Sequence, residues 1–267
     1  MIARNRSQSS NPRRLVYGRL AWLDELRFVA IALMIVDHGC LFFAPTNTIA
    51  EVLRCTLTRC AEPLFVFVLT SAAVFLRRAL RPSRLLQIFG LSLATSWLFS
   101  VHLGYAVADV LVSLSVVIVA LPLLTKMCDH LLIGVLYVTA ALCVVPVSLG
   151  SVAFDYSPML LVYQVLLTRL LLEKSGRVAG RHGVLSGCVV LLAAWWVYRS
   201  GGEITGSTYT ICFGHPLAAL VIFSIRGADD HRATLATFVA RYPLTIYACH
   251  LAVFATLARF SELRGSL

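Results

Sequence analysis

Apolar runs close to twenty residues long recur about every twenty-five residues along this chain. That is the length an α-helix needs to cross the roughly 30 Å hydrocarbon core of a bilayer. The runs lie near 22–44, 62–80, 85–101, 107–125, 131–148, 157–173, 183–199, 208–226 and 242–260. Hydrophobic residues make up 59% of the 267 and charged ones 13%, a balance that excludes an ordinary soluble domain. The expected fold is therefore all-α, a polytopic transmembrane bundle of about nine spans. These spans fill nearly all of the chain after residue 20, so any chemistry must take place within the bundle. Residues 1–20 are polar, basic and proline-containing, and read as a disordered basic cytoplasmic tail. No small-residue cleavage pattern follows the first run, so the tail does not read as a signal peptide.

Orientation follows from the basic residues, which collect in cytoplasmic loops. With nine spans, sixteen of the 23 Lys and Arg residues fall on the side of the N-terminal tail and five on the other. The N-terminus is expected in the cytoplasm and the C-terminus outside, in the cell's inner (plasma) membrane. A net charge of +10 would favour nucleic acid in a soluble protein. Here the excess sits in inner loops, where anionic lipid headgroups account for it, and no nucleic-acid partner is expected. The eight cysteines show no CxxC pair and no Cys/His spacing suited to zinc, so no metal is expected. Cys55 and Cys60 share an external loop in which a disulfide can form.

Ionisable groups inside spans are costly, and they mark cavities or partners. The first span, "DELRFVAIALMIVDHG", carries Asp24, Glu25 and Arg27 near its inner end and Asp37 and His38 in its outer half. Eleven residues separate Arg27 from His38, almost three turns at about 100° per residue, so the two share one face some 16 Å apart. Asp37 diverges around the helix from His38 and is not expected to orient its ring. His250 lies near the middle of the last span. His215 precedes Pro216, where a freed carbonyl can accept its proton. Glu62, His102 and Asp109 stand at span ends. Each has a structural reading as well: Arg27 as an ion pair with Asp24, the histidines as bonds between helices, and the 77–84 arginines as a positive-inside signal.

The same residues carry a resemblance. "LDELRFVAIALMIVDH" resembles the first helix of the acyltransferase 3 superfamily, whose hallmark is a basic residue, ten intervening residues and a histidine, here Arg27 and His38. "ALMIVDHGCLFF" resembles in particular the TraX pilin-acetylase family. "EPLFVFVLTSAAVFLRR" with "RPSRLLQIFGL" is similar to the second helix and basic inner loop of that family and of the heparan-α-glucosaminide N-acetyltransferase family. "RYPLTIYACHLAVF" is similar to their late helix, with Tyr247 and His250. The matches cover about a third of the chain, at both of its ends.

The resemblance implies that residues 21–262 form a multi-span membrane acyltransferase domain. It would transfer an acyl group, by default acetyl, from cytoplasmic acyl-CoA to a hydroxyl or amino group of a glycan, small-molecule or pilin-type acceptor. The donor's phosphates would lie near Arg27, Arg77, Arg78, Arg81 and Arg84, because the guanidinium fork makes paired, charge-assisted bonds to phosphate. His38 would be the general base, a task suited to imidazole. His250 would polarise the thioester or orient the acceptor, and Asp37 would act through another residue or pair with another helix. An acyl-histidine intermediate is an open alternative. The expected partners are membrane lipids, acyl-CoA and the acceptor. Competing classes are a transporter or proton-coupled protein using intramembrane His and Asp, and a noncatalytic scaffold. No internal repeat or matched pair of broken spans favours the transporter.

Overall fold

Each of the nine apolar runs is built on a helix in the computed structural model, which describes residues 21–44, 47–76, 82–145, 148–149, 152–154, 156–174, 176–201, 206–227, 239 and 241–265. The expected disordered tail, residues 1–20, lies outside the described residues. The helices are α1 (Ala21–Phe43), α2 (Thr48–Cys55), α3 (Ala61–Leu76), α4 (Pro82–Leu103), α5 (Val110–Leu124), α6 (Asp129–Leu142), α7 (Pro158–Glu173) and α8 (Gly176–Arg199). A short α9 (Gly206–Tyr209) then runs through a π turn (Thr210–Gly214) into α10 (His215–Gly227), and α11 (Pro243–Gly265) follows. Pro82, Pro158 and Pro243 each open a helix, where a missing N–H costs nothing.

Among the described residues, five helical stretches are long and apolar enough to cross a membrane: Trp22–Phe43, Thr48–Val74, Leu85–Leu103, Gly176–Arg199 and Pro243–Phe260. The outward faces of these and the shorter helices are apolar. Trp97, Leu123, Leu192 and Phe260 are exposed, and Leu86 and Phe223 are 72% and 75% exposed, a surface that suits lipid rather than water. This marks the chain as a membrane protein. The helices α5, α6 and the run Thr210–Ile225 are apolar but shorter. At 16 residues α7 is short too, and it packs against α3, α5, α6 and α8 in the main apolar core. A second core joins α1, α3 and α10, and a third joins α1, α4, α5 and α11.

Two features depart from the expected pattern. The loop after the first span is not a simple connection. Asn47 caps α2 by accepting from the Ile49 and Ala50 amides at 2.9 and 3.1 Å, and a 3₁₀ turn (Thr58–Cys60) joins α2 to α3. Cys55 and Cys60 are free thiols there, Cys60 buried in the second core. A small sheet trims the expected start of the fourth span and the expected end of the fifth. Gly104, with φ of 76°, ends α4, and β1 (Val107–Ala108) follows before α5 begins. The α6 helix stops at Leu142, and β2 (Ser148–Leu149) and β3 (Val152–Phe154) form an antiparallel pair. The β1 strand lies parallel to β3, with Val107 opposite Ala153 and Ala108 opposite Phe154. Parallel pairing sends the residues that follow both strands toward the same edge.

The π turn and the 3₁₀ turn interlock. A Cβ added to Gly214 would sit 2.3 Å from the Arg59 carbonyl oxygen, so only glycine fits. The His215 N–H and ring Nδ1 both turn back to the Thr210 carbonyl, the ring at 3.1 Å. Gly214→Ala should therefore destabilise the protein by about 1–3 kcal/mol, the usual cost of overpacking. Thermal unfolding of the detergent-solubilised protein measures this, and an unchanged Tm would refute the close approach.

Candidate functional site

At one end of the bundle, His38 of α1 and His250 of α11 meet. His38 Nδ1 lies 2.8 Å from His250 Nε2, with the ring planes within 10° of parallel. His250 Nδ1 lies 2.9 Å from the Ile246 carbonyl, one turn back on the same helix. A carbonyl only accepts, so His250 Nδ1 carries the hydrogen, and the neutral ring's Nε2 is left with a lone pair. His38 Nδ1 must then donate to it. The lone pair of neutral His38 thus falls on Nε2. Both nitrogens of His250 are thus engaged, Nε2 by His38 and Nδ1 by the Ile246 carbonyl. Phe99 and Tyr247 wall the pair, with ring centroids 5.3 and 5.8 Å from that of His38. Tyr247 stands edge-on to His250 as well.

Tyr247 is itself held by Asp109, which is only 2% exposed. Its hydroxyl lies 2.9 and 2.7 Å from the two carboxylate oxygens. Thr95 of α4 donates to Asp109 Oδ2 at 2.6 Å, and the Val110 amide to Oδ1 at 2.7 Å, which caps α5. The Asp109 amide donates in turn to Ser96 Oγ at 3.0 Å. One carboxylate therefore ties α4, α5 and α11 together beside the histidines. A buried carboxylate is tolerable only with such a set of donors.

Asp37 turns away from His38 to the 3₁₀ turn. It accepts from Thr58 Oγ1 at 2.6 Å, with Arg54 Nε 3.7 Å away. Next in sequence, Arg59 donates to the Tyr156 hydroxyl at 2.7 Å and sits 5.3 Å from the centroid of its ring. Ser113 Oγ of α5 fixes the Tyr156 carbonyl at 2.9 Å. The parallel β1–β3 pairing explains this meeting, since Asp109 follows β1 and Tyr156 follows β3 at the same edge of the sheet.

A cavity of about 1300 Å³ runs from this end of the bundle to the other. Its near end is lined by Asp37, His38, Thr58, Glu62, Tyr156 and Tyr247, and its far end by Arg27, Lys126, Glu173 and Arg241. Between them the wall is apolar, with Phe65, Leu69, Leu114 and Ile118 among its residues. Such a volume exceeds the roughly 300–1,000 Å³ common for single small ligands. At the far end Arg27 pairs with Asp24 at 2.8 Å while still lining the cavity. Arg169, buried on α7, donates to the Leu124 and Met127 carbonyls at 2.7 and 2.8 Å. It thereby pins the turn that carries Lys126. Its Nε pairs with Glu173 at 2.9 Å.

The structure thus brings His38, Asp37 and Arg27 to one cavity, and holds His250 against His38. Arg77, Arg78 and Arg81 lie outside the described residues, as does the side chain of Arg84. Among the described residues, no three His, Cys, Asp or Glu side chains group as a metal site would require. Sequence reasoning passed over Thr58, Arg59, Thr95, Lys126, Tyr156 and Arg241. Only Asp109, a capping residue type directly before an apolar run, bore a usable signal. Comparison of the chain with protein families, curated proteins and solved structures finds no match.

Asp109→Ala removes the acceptor of the Tyr247 hydroxyl and of the α5 amide, and should cost about 1–3 kcal/mol for each buried donor that loses its bond, while Thr95 retains the Ser92 carbonyl at 3.2 Å. Asp37→Ala should cost less, because Thr58 retains the Arg54 carbonyl at 2.9 Å. Thermal unfolding of the two variants in detergent compares them. Equal losses would show that Asp109 is not the stronger tie.

Proposed function

We propose that the chain is an integral membrane acyltransferase, moving an acyl group, acetyl by default, from acyl-CoA to a hydroxyl or amino group of a glycan, small-molecule or pilin-type acceptor. The observation that carries the reading is the direction of the hydrogen bonds through the histidine pair. From the Ile246 carbonyl through His250 to His38, each bond fixes the next, and the chain ends in a lone pair on His38, which lines the cavity. A base held in one tautomer is what acyl transfer requires of a histidine.

In this reading the donor enters at the Arg27 end. Its phosphates rest among Arg27, Lys126 and Arg241, which line that end of the cavity. Its thioester lies near His38, about 16 Å along α1 from Arg27. His38 Nε2 takes the proton from the acceptor as its oxygen or nitrogen attacks the thioester carbonyl carbon. The carbon–sulfur bond breaks, and the proton passes from His38 to the departing sulfur. His250 keeps the His38 ring in place throughout. The apolar wall excludes water, which would otherwise compete as acceptor. The finer arrangement belongs to the same proposal: nine spans, N-terminus in the cytoplasm, in the cell's inner (plasma) membrane.

Purified protein incubated with radiolabelled acetyl-CoA and candidate acceptors tests the reading. Labelled product is expected, and vesicle flux that needs no acyl-CoA would instead identify a transporter. His38→Ala should lower kcat by roughly 10³-fold while membrane insertion persists, and His250→Phe by roughly tenfold or more. Full activity in His38→Ala would remove it as the base. Arg27→Gln should raise the Kd for acyl-CoA, and an unchanged Kd would return Arg27 to its ion pair with Asp24.

A further inference from the structure

The tetrahedral intermediate of acyl transfer places negative charge on the former carbonyl oxygen, and a donor aimed at that oxygen is often the largest single catalytic contribution. Resting on the acyl-transfer reading, we infer that Tyr156 is this donor and that Arg59 polarises it. Three hydroxyl side chains line the His38 end of the cavity: Thr58, Tyr156 and Tyr247. Thr58 and Tyr247 direct their hydrogens to carboxylates, those of Asp37 and Asp109. A hydroxyl bonded to a carboxylate is a poor donor to a second anion.

Tyr156 stands against a cation instead. Its oxygen accepts from the Arg59 guanidinium at 2.7 Å, which draws electron density from the phenol and strengthens its O–H as a donor. The same guanidinium lies against the ring face. The position is built on both sides. Arg59 follows Thr58, which is bonded to Asp37, the neighbour of His38, and Gly214 of the π turn packs on the Arg59 carbonyl. The Tyr156 backbone is held by Ser113 of α5. In the step itself, acceptor attack forms the new carbon–oxygen or carbon–nitrogen bond, and the carbonyl π electrons move onto oxygen. Tyr156 donates a hydrogen bond to that oxygen without losing its proton. The electrons return as the carbon–sulfur bond breaks, and the acceptor's proton travels through His38 to sulfur.

Wild type, Tyr156→Phe and Arg59→Gln are compared for kcat and KM with radiolabelled acetyl-CoA. Direct binding of a thioether analogue that cannot transfer its acyl group is measured alongside. Tyr156→Phe should lose about 10²–10³ in kcat and bind the analogue within roughly threefold of wild type, the split expected for a contact made only in the transition state. Arg59→Gln keeps an N–H donor for the phenol but not the charge. Its kcat should fall roughly tenfold, which keeps the inference testable if Tyr156→Phe does not fold. Wild-type kcat in Tyr156→Phe, or a matched loss of analogue binding in either variant, overturns the role. A wild type that binds the analogue but transfers nothing overturns the acyl-transfer reading, and this role with it.

Discussion

The bond set around the Asp109 carboxylate is what the site depends on. It gathers Thr95 of α4, the first amide of α5 and Tyr247 of α11, and so fixes the helix that carries His250. In an apolar interior a carboxylate has no water to fall back on, and each donor must be supplied by the fold. The α4 helix supplies acceptors as well, with Ser96 Oγ accepting from the Asp109 amide and Ser100 Oγ from the Val107 amide at 2.9 Å. The small sheet then sets where Asp109 stands, and its parallel pairing brings the chain after β3 to the same place. Few residues outside the helices thus decide the geometry at the histidine end.

The two ends of the cavity differ in how their charges are managed. At the Arg27 end the cations come from separate elements, and Arg241 is exposed. Exposed charges there cost little to keep. At the His38 end Arg59, Glu62 and Asp109 are buried, where interactions are stronger because the medium is less polarisable. Solvated charges at one end thus give way to buried ones at the other. That gradient follows from composition, since apolar side chains make up the wall between the ends.

Much of the helical layout was legible, because continuous apolar runs leave a helix little competition. Legibility failed where polar residues turned inward. Thr58 and Arg59 read as members of an external loop, yet Thr58 and Arg59 are 3% and 9% exposed. Hydropathy averages over a turn, and it cannot tell a loop in water from one folded back on the helix ends. The spacing of Arg27 and His38 placed both on the stripe that lines the cavity, because helix geometry is local. The partnership of His38 with His250 spans 212 residues and left no local trace. The place of Tyr156 in the cavity wall was invisible for the same reason, since it depends on strand pairing between segments far apart in the chain.

The ring of His250 is anchored to its own helix through the Ile246 carbonyl, so it moves as a rigid part of α11. His38 moves likewise with α1. Their bond is therefore a gauge of how the two helices sit along their common direction, and a slip of one residue, about 1.5 Å, is enough to break it. Helices in a bilayer tilt to match its thickness. The surrounding lipid is thus mechanically connected to the alignment of the two rings, although no lipid need touch either of them.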